Sequence, residues 1–398
     1  MTVVIVGAAM GGLRTAEALR KSGYAGELVI MGDEAHLPYN RPPLSKDVLS
    51  SEVRHETVAF PMRAEMADVT WMLGSRVTSA DLSAHTVTTE LGVSQSWTAL
   101  VIATGLRPRR LDLPSIAGRH AVRSLDDAIA LRAELSPGAR VVVAGSGFLG
   151  CELAATATKL GCRVTVVTSS EEPMIRPLGR QLARELRRRL EIEGVEFVTS
   201  SSIVGLVGRD SLTHVSVSGG QNIPANVLIE AIGSDCNTEW LAGNDIDLDD
   251  GVLAENALRV VSNGGDIHDD VFVVGDVARF PNPMFDDIPR RIEHWSIPTD
   301  TGKRAGAVLA AHLRNDGSCA EIAATEFAPM PSFWSNQFNI SLQAYGLPGL
   351  ADETRVIEGE LHGAAAIGYF RAGVMVGVVG VGLKAALIPY RQQIAAGA

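Results

Sequence analysis

One pattern occurs twice in this chain and constrains its fold more than any other: an unbroken apolar, β-branched run, a glycine-rich turn, then a helix. The first copy runs Val3-Val4-Ile5-Val6, then Gly7-Ala8-Ala9-Met10-Gly11-Gly12, then Leu13, Ala16 and Leu19 at helical spacing as far as Ser22. Gly23 stops that helix, and Leu28-Val29-Ile30-Met31 makes the next strand. The second copy is Val141-Val142-Val143-Ala144, then Gly145-Ser146-Gly147-Phe148-Leu149-Gly150, a helix over 152–160, Gly161 and the strand 164–167. Strands without polar alternation are buried on both faces, which places them in parallel sheets covered by helices. Each copy is a βαβ unit, so the chain is expected to hold two nucleotide-binding domains. Val271-Phe272-Val273-Val274-Gly275-Asp276 reads as a further buried strand ending in an acid. After about residue 318 the pattern changes to strands at 364–370 and 374–381 around a Gly turn, which predicts a separate α+β domain.

The turns carry chemistry. In the first, Gly7 permits the tight strand-to-helix turn and Gly12 lets helix and strand pack closely. Ala9 takes the middle position, where the backbone must approach a pyrophosphate, and Gly11 follows it. The helix then offers free N–H groups and the positive end of its dipole to phosphates. An acid that binds a ribose hydroxyl belongs just past the second strand, and both Asp33 and Glu34 sit there. The second turn has all three glycines, Gly145, Gly147 and Gly150, but Val167 is followed by Thr168-Ser169-Ser170. Neither the carboxylate that selects NADH nor the arginine that welcomes a 2′-phosphate stands at Thr168.

Composition and cysteine spacing exclude several classes. Acidic residues outnumber basic ones by 46 to 35, for a formal net charge of −11, and no Lys/Arg-rich run appears. A nucleic-acid partner would need a basic face, so none is expected. Cys151, Cys162, Cys236 and Cys319 lie far apart with no Cys-x-x-Cys pair, against a disulfide scaffold, a zinc site or an iron–sulfur cluster. No metal is expected. The apolar run at 3–7 has no basic region before it and no long apolar core, so no signal peptide is expected. The stretch 374–383 is interrupted by Gly377, Gly380 and Gly382 and falls short of the roughly 20 residues a bilayer span needs. The sequence predicts a cytoplasmic protein without a membrane partner and leaves its oligomeric state open.

Two dinucleotide turns in one chain suit one cofactor that stays and another that comes and goes. A flavin can take a hydride from a nicotinamide and release electrons singly, which side chains cannot do. The joining segments are specific. Gly32-Asp33-Glu34 leads to Leu37-Pro38-Tyr39-Asn40-Arg41-Pro42-Pro43-Leu44-Ser45-Lys46, and Ala103-Thr104-Gly105-Leu106-Arg107-Pro108 and Arg123-Ser124-Leu125-Asp126-Asp127 follow. Further on stand Gly275-Asp276-Val277-Ala278-Arg279-Phe280, Arg291-Ile292-Glu293-His294-Trp295 and Pro331-Ser332-Phe333-Trp334-Ser335-Asn336-Gln337-Phe338. In these segments, over essentially its whole length, the chain resembles the FAD-dependent NAD(P)H:ferredoxin reductases of multicomponent oxygenase systems, which are similar to rubredoxin and putidaredoxin reductases.

That resemblance implies an α/β fold of two Rossmann-like, glutathione-reductase-like domains plus a C-terminal α+β interface domain. The FAD-binding domain would be discontinuous, 1–108 and 243–318, with the NAD(P)H-binding domain at 109–242 and the interface domain at 319–398. Hydride would pass from NADH, with NADPH possible, onto FAD, and electrons would leave singly for a small iron–sulfur ferredoxin or rubredoxin. The Arg41 to Lys46 segment, with Pro43, would lie along the isoalloxazine and bring Lys46 near its reactive edge. Asp33 would hold the FAD ribose, Arg123 and Val77 would border the cofactor, and Asp276 would bind the ribityl hydroxyls. Thr104, Gly105 and Trp334 belong to the same cofactor-binding set. Trp295 would sit at the pyrimidine end, before a helix whose first turn Pro298 suits. Glu152 would face the flavin and pair with Lys46, making these two the catalytic residues, and His294 is expected to be structural.

Ile297-Pro298-Thr299-Asp300-Thr301-Gly302 departs from the small residue and Gln common in the family, which bears on docking and partner choice. Docking candidates for an acidic ferredoxin are Arg290, Arg291, Lys303, Arg304, Arg371, Lys384 and Arg391. Disulfide reductases and single-cysteine NADH peroxidases share the layout but need a cysteine near the flavin, and none precedes Cys151. Flavin hydroxylases generally carry one dinucleotide turn. The alternative from another class is a non-catalytic NADH-sensing flavoprotein similar to apoptosis-inducing factor.

Overall fold

The buried β-branched runs pair with one another across long stretches of chain. The computed structural model describes residues 1–51, 54–315 and 317–397; residues 52, 53, 316 and 398, the last at the end of the expected interface domain, lie outside it. A six-stranded sheet has the order Arg259–Val261, Ile267–Val273, Ala99–Ile102, Thr2–Val6, Glu27–Met31 and Thr70–Met72. Its pairs are parallel except the one between the first two strands. Val3, Val4 and Ile5 are fully buried, as a central strand with both faces covered requires. A second sheet of five parallel strands has the order Glu196–Val198, Arg163–Val167, Arg140–Ala144, Val227–Glu230 and Arg119–His120.

Both predicted helices begin earlier than their apolar spacing suggests. They span Met10–Lys21 and Phe148–Lys159, so the last glycines of each turn already belong to the first helical turn. The helix Ile297–Arg314 packs along Met10–Lys21 at very short range. A Cβ on Gly306 would lie 2.6 Å from the Ala18 Cβ, so this crossing depends on glycine. That contact, with the strands at 259–273, joins two distant stretches of sequence into the six-stranded unit.

The C-terminal sheet is antiparallel, in the order Ser332–Gln337, Ile340–Gly346, Val374–Val381, Ala365–Arg371 and Glu353–Gly359. One buried cluster runs from Leu44 and Leu49 through Val143 and Leu153 to Leu342 and Tyr369. All three units meet there, and the strand Ser332–Gln337 lies against the helix Phe148–Lys159. Among the described residues no helix is long and apolar enough to cross a membrane.

Candidate active site

The first glycine turn is shaped by backbone contacts that no side chain would allow. Gly7 has φ of 122°, and a Cβ there would lie 2.1 Å from the Ala103 carbonyl oxygen. A Cβ on Gly12 would lie 2.1 Å from the Gly7 oxygen. The helix that follows has Ala9 at its N-cap and no side-chain cap, so its first N–H groups and positive dipole end remain available. Gly7, Asp33, Val77 and Thr104 line a cavity of ≈ 270 Å³ at this end of the sheet. Thr104 is anchored there by donating to the Asn237 carbonyl at 2.7 Å.

The two neighbouring acids have separate fates. Glu34 pairs with Arg41 at 2.5 Å and also accepts from the Tyr39 hydroxyl. Arg41 in turn donates to the Arg123 carbonyl at 2.6 Å, and Tyr39 accepts the Leu125 N–H at 2.8 Å. Burial is the main cause that pushes the Tyr39 hydroxyl pKa above its ordinary value. Glu34 is thus held inside a structural clamp, whereas exposed Asp33 faces the cavity.

A larger cavity of ≈ 670 Å³ continues from the same helix N-terminus. Ala9 and Gly11 line one end; Arg41, Lys46, Gly105, Arg123, Asp276, Glu152, Trp295 and Trp334 line the rest. Arg123 and Asp276 meet at 3.2 Å. Pro43 is not part of this wall; its carbonyl accepts the Lys46 N–H at 3.0 Å, and Pro42 takes the lining position. Gly12 is likewise a packing residue behind the wall.

In the wall of the larger cavity lies a largely buried ion pair. Lys46 Nζ stands 2.6 Å from Glu152 Oε2, joining the Arg41 to Lys46 segment to the helix after the second glycine turn. Ser45 donates to the same carboxylate oxygen at 2.6 Å and Ser335 to the other at 2.7 Å. A buried ion pair holds only when such extra hydrogen bonds satisfy its remaining atoms. Ser45, Ser335 and Gln337 lie inside the family-like segments at 37–46 and 331–338, but those segments assign them no role. The available signal was a period-two pair of polar residues, 335 and 337, sharing a face with Phe333 on the strand Ser332–Gln337.

Gly145, Gly147 and Gly150 form the second turn outside both cavities. Gly150 repeats the role of Gly12, since a Cβ there would lie 2.3 Å from the Gly145 oxygen. Gly147 is the N-cap of the helix Phe148–Lys159, again with no side-chain cap, and open space lies where its Cβ would be. Thr168 is buried, accepting from the Ser146 hydroxyl at 2.8 Å and the Ser170 N–H at 3.2 Å. Phe148 bridges this turn to the larger cavity, its ring 4.8 Å from Phe333, which packs 4.9 Å from His294. Burial lowers the His294 pKa to about 4, so its imidazole is neutral near pH 7. Trp295 donates to Asn40 at 3.1 Å and stands edge-on to Trp334 at 5.2 Å, with 39% of its surface exposed.

Two uncapped helix N-termini, each behind a glycine turn, fit the phosphates of two nucleotides, and the two cavities near the first turn fit the rest of one of them. The donor set fits a flavin and a nicotinamide.

Residues 1–302 match the pyridine nucleotide-disulphide oxidoreductase family, and residues 332–398 match the reductase C-terminal family. The chain belongs to the pyridine nucleotide-disulphide oxidoreductase family and is an oxidoreductase that uses a flavin and a pyridine nucleotide. It is 34% identical over 327 residues to the chlorobenzene dioxygenase ferredoxin reductase component of Cupriavidus sp. (strain PS12), covering 80% of this chain and 76% of that protein. It is 33% identical over 365 residues to the p-cumate 2,3-dioxygenase system ferredoxin–NAD(+) reductase component of Pseudomonas putida, covering 91% of this chain and 84% of that one. The reductase in the crystal structure of the covalent putidaredoxin reductase–putidaredoxin complex superposes with a TM-score of 0.89 at 27% identity, over 99% of this chain and 93% of that one. Within its family the chain stands with the ferredoxin reductase components of oxygenase systems.

Proposed function

We propose that this protein takes a hydride from NADH onto FAD bound along the two adjoining cavities and passes electrons singly to a small iron–sulfur ferredoxin. The observation that carries the reading is the buried Lys46–Glu152 pair lying between an uncapped first glycine turn and a second one. Residues 1–108 with 243–318 make the FAD-binding domain, 109–242 the NAD(P)H-binding domain and 319–398 the interface domain.

Asp33 binds the adenosine ribose, the helix at Met10 receives the pyrophosphate, and Asp276, held by Arg123, binds the ribityl chain. The flavin, when bound, supplies two-electron uptake and one-electron release. Lys46 would donate a hydrogen bond to the bound isoalloxazine, and Glu152 orients the ammonium. The N-terminus of the helix Ile297–Arg314, beside Trp295, stabilises negative charge at the pyrimidine end. The protein as purified should be yellow and release FAD on denaturation, since FMN lacks the adenylate that the first turn and Asp33 hold. Chromatography of the released flavin decides this: FMN, or a colourless protein that FAD cannot reconstitute, would sink the reading.

Nicotinamide choice rests on Thr168. With its hydroxyl engaged by Ser146 and no carboxylate at this position, NADH is preferred over NADPH only modestly. Thr168→Glu should raise the NADH-to-NADPH ratio of kcat/KM about tenfold, by repelling a 2′-phosphate. A wild type that already excludes NADPH by several orders of magnitude contradicts this.

The docking candidates separate by how their charges are used. Arg290 and Arg371 both pair with Asp286, and Arg291 pairs with Asp250 and Glu293. Arg304 donates to the carbonyls of Ile322, Ala323 and Thr325, so reversing its charge would disturb packing rather than report docking. Lys303, Lys384 and Arg391 stay exposed, and the first and last both act on Asp300, one turn into the helix after Trp295. Lys303→Glu with Arg391→Glu should raise the apparent ferredoxin KM about tenfold at low salt and leave flavin reduction by NADH unchanged. An unaltered ferredoxin KM would put docking elsewhere.

A further inference from the structure

Ser335 and Gln337 are both completely buried polar residues, two apart on the strand Ser332–Gln337, so they share one face. That face meets the helix carrying Glu152. The Ser335 hydroxyl donates to Glu152 Oε1 at 2.7 Å, while Lys46 and Ser45 both donate to Oε2 at 2.6 Å. One side chain from the C-terminal unit therefore holds a whole oxygen of the carboxylate. A serine has a single proton, and an ionised carboxylate can only accept it. Any further hydrogen bond at Ser335 is then one its oxygen accepts, and Gln337 Nε2 donates it at 3.1 Å. Gln337 Nε2 also meets Met174 Sδ at 3.4 Å, and the Met174 N–H donates to the Ser146 carbonyl inside the second glycine turn at 2.9 Å.

We infer that Ser335 and Gln337 are positioning residues for the Lys46–Glu152 pair, so that the C-terminal unit completes the hydride-receiving site. This rests on the reading that flavin lies beside Lys46. The physical reason is electrostatic. A buried carboxylate oxygen without a donor carries uncompensated negative charge, and that charge opposes the arrival of more negative charge on a neighbouring group. Ser335 removes this opposition, and Gln337 fixes the rotamer in which it does so.

The test is a double-mutant cycle on the FAD-loaded full chain: Ser335→Ala in the wild-type background and in Glu152→Gln. Flavin bleaching by NADH is followed anaerobically, and the flavin midpoint potential is measured by dye equilibration. Ser335→Ala should lower the limiting rate of bleaching about tenfold, leave the apparent NADH dissociation constant within twofold, and move the midpoint potential to more negative values. In Glu152→Gln, where the charge is absent, the same change should alter rate and potential little. Ser335→Thr, which keeps the donor, should restore both. A purely structural serine would slow both backgrounds equally, or would weaken NADH binding with the limiting rate intact, and either result overturns the inference. Wild-type protein that NADH does not bleach would instead defeat the functional reading beneath it. Normal bleaching with no coupling between Ser335 and Glu152 would defeat this inference alone.

Discussion

Lys46→Met should slow reduction of the bound flavin by NADH about 100-fold, the usual cost of removing one preorganised donor from a reacting centre. It should also destabilise the protein by about 3 kcal/mol, because it leaves the Glu152 carboxylate buried without its cation. The combined change Lys46→Met with Glu152→Leu separates these effects. Removing both charges leaves no buried charge unpaired, while the Ser45 and Ser335 hydroxyls lose their acceptor, so stability should return part of the way to wild type while hydride transfer stays slow. Urea unfolding and anaerobic stopped-flow absorbance read the two quantities separately. A double variant less stable than Lys46→Met would mean that packing, not charge, dominates this site.

Gly12→Ala should give protein that loses its flavin during purification and unfolds with about 1–3 kcal/mol less stability, the range for overpacking a close contact. The added methyl would stand 2.1 Å from the Gly7 carbonyl oxygen and 3.2 Å from the Ile5 Cγ2, and backbone cannot rotate away as a side chain can. Relief requires the helix Met10–Lys21 to lift from the sheet. The opposite face of that helix is already locked against Ile297–Arg314, where Gly302 and Gly306 leave no slack. The helix N-terminus would move from the wall of the larger cavity, which is where flavin affinity is lost. Gly23→Ala is the control: no atom lies near its Cβ position, so only the backbone strain of φ 87° acts, and flavin content should hold. Absorbance at the visible flavin band against protein concentration measures the contrast. Full flavin occupancy in Gly12→Ala would show that the close approach is not needed for binding.

Much of this molecule is legible without coordinates, for reasons particular to its parts. Val3 to Val6 and Val141 to Ala144 announce central parallel strands because burial on both faces leaves no room for polar residues. The glycine turns are legible because one of their steric demands, Gly12 against Gly7 and Gly150 against Gly145, acts within six residues. The C-terminal strands at Ala365–Arg371 and Val374–Val381 follow from a two-residue turn between apolar runs.

The site is only half legible. Asp33 and Glu34 are equivalent as sequence, and what separates them is Arg41 and Tyr39 folding back to engage Glu34. Arg290 and Lys303 look alike as docking charges until Asp286 is seen to neutralise one of them. Ser335 and Gln337 belong to a family-like segment that says nothing of their role, since that role exists only where three separate segments of chain meet around Glu152. Local sterics and burial act between near neighbours, so the chain alone determined its strands, turns and helices. Ion pairing and hydrogen-bond satisfaction act between any groups that burial brings within about 3 Å, whatever their separation in sequence. Which acid stays free, which cation stays exposed and which serine completes the Lys46–Glu152 pair were therefore decided by the tertiary structure.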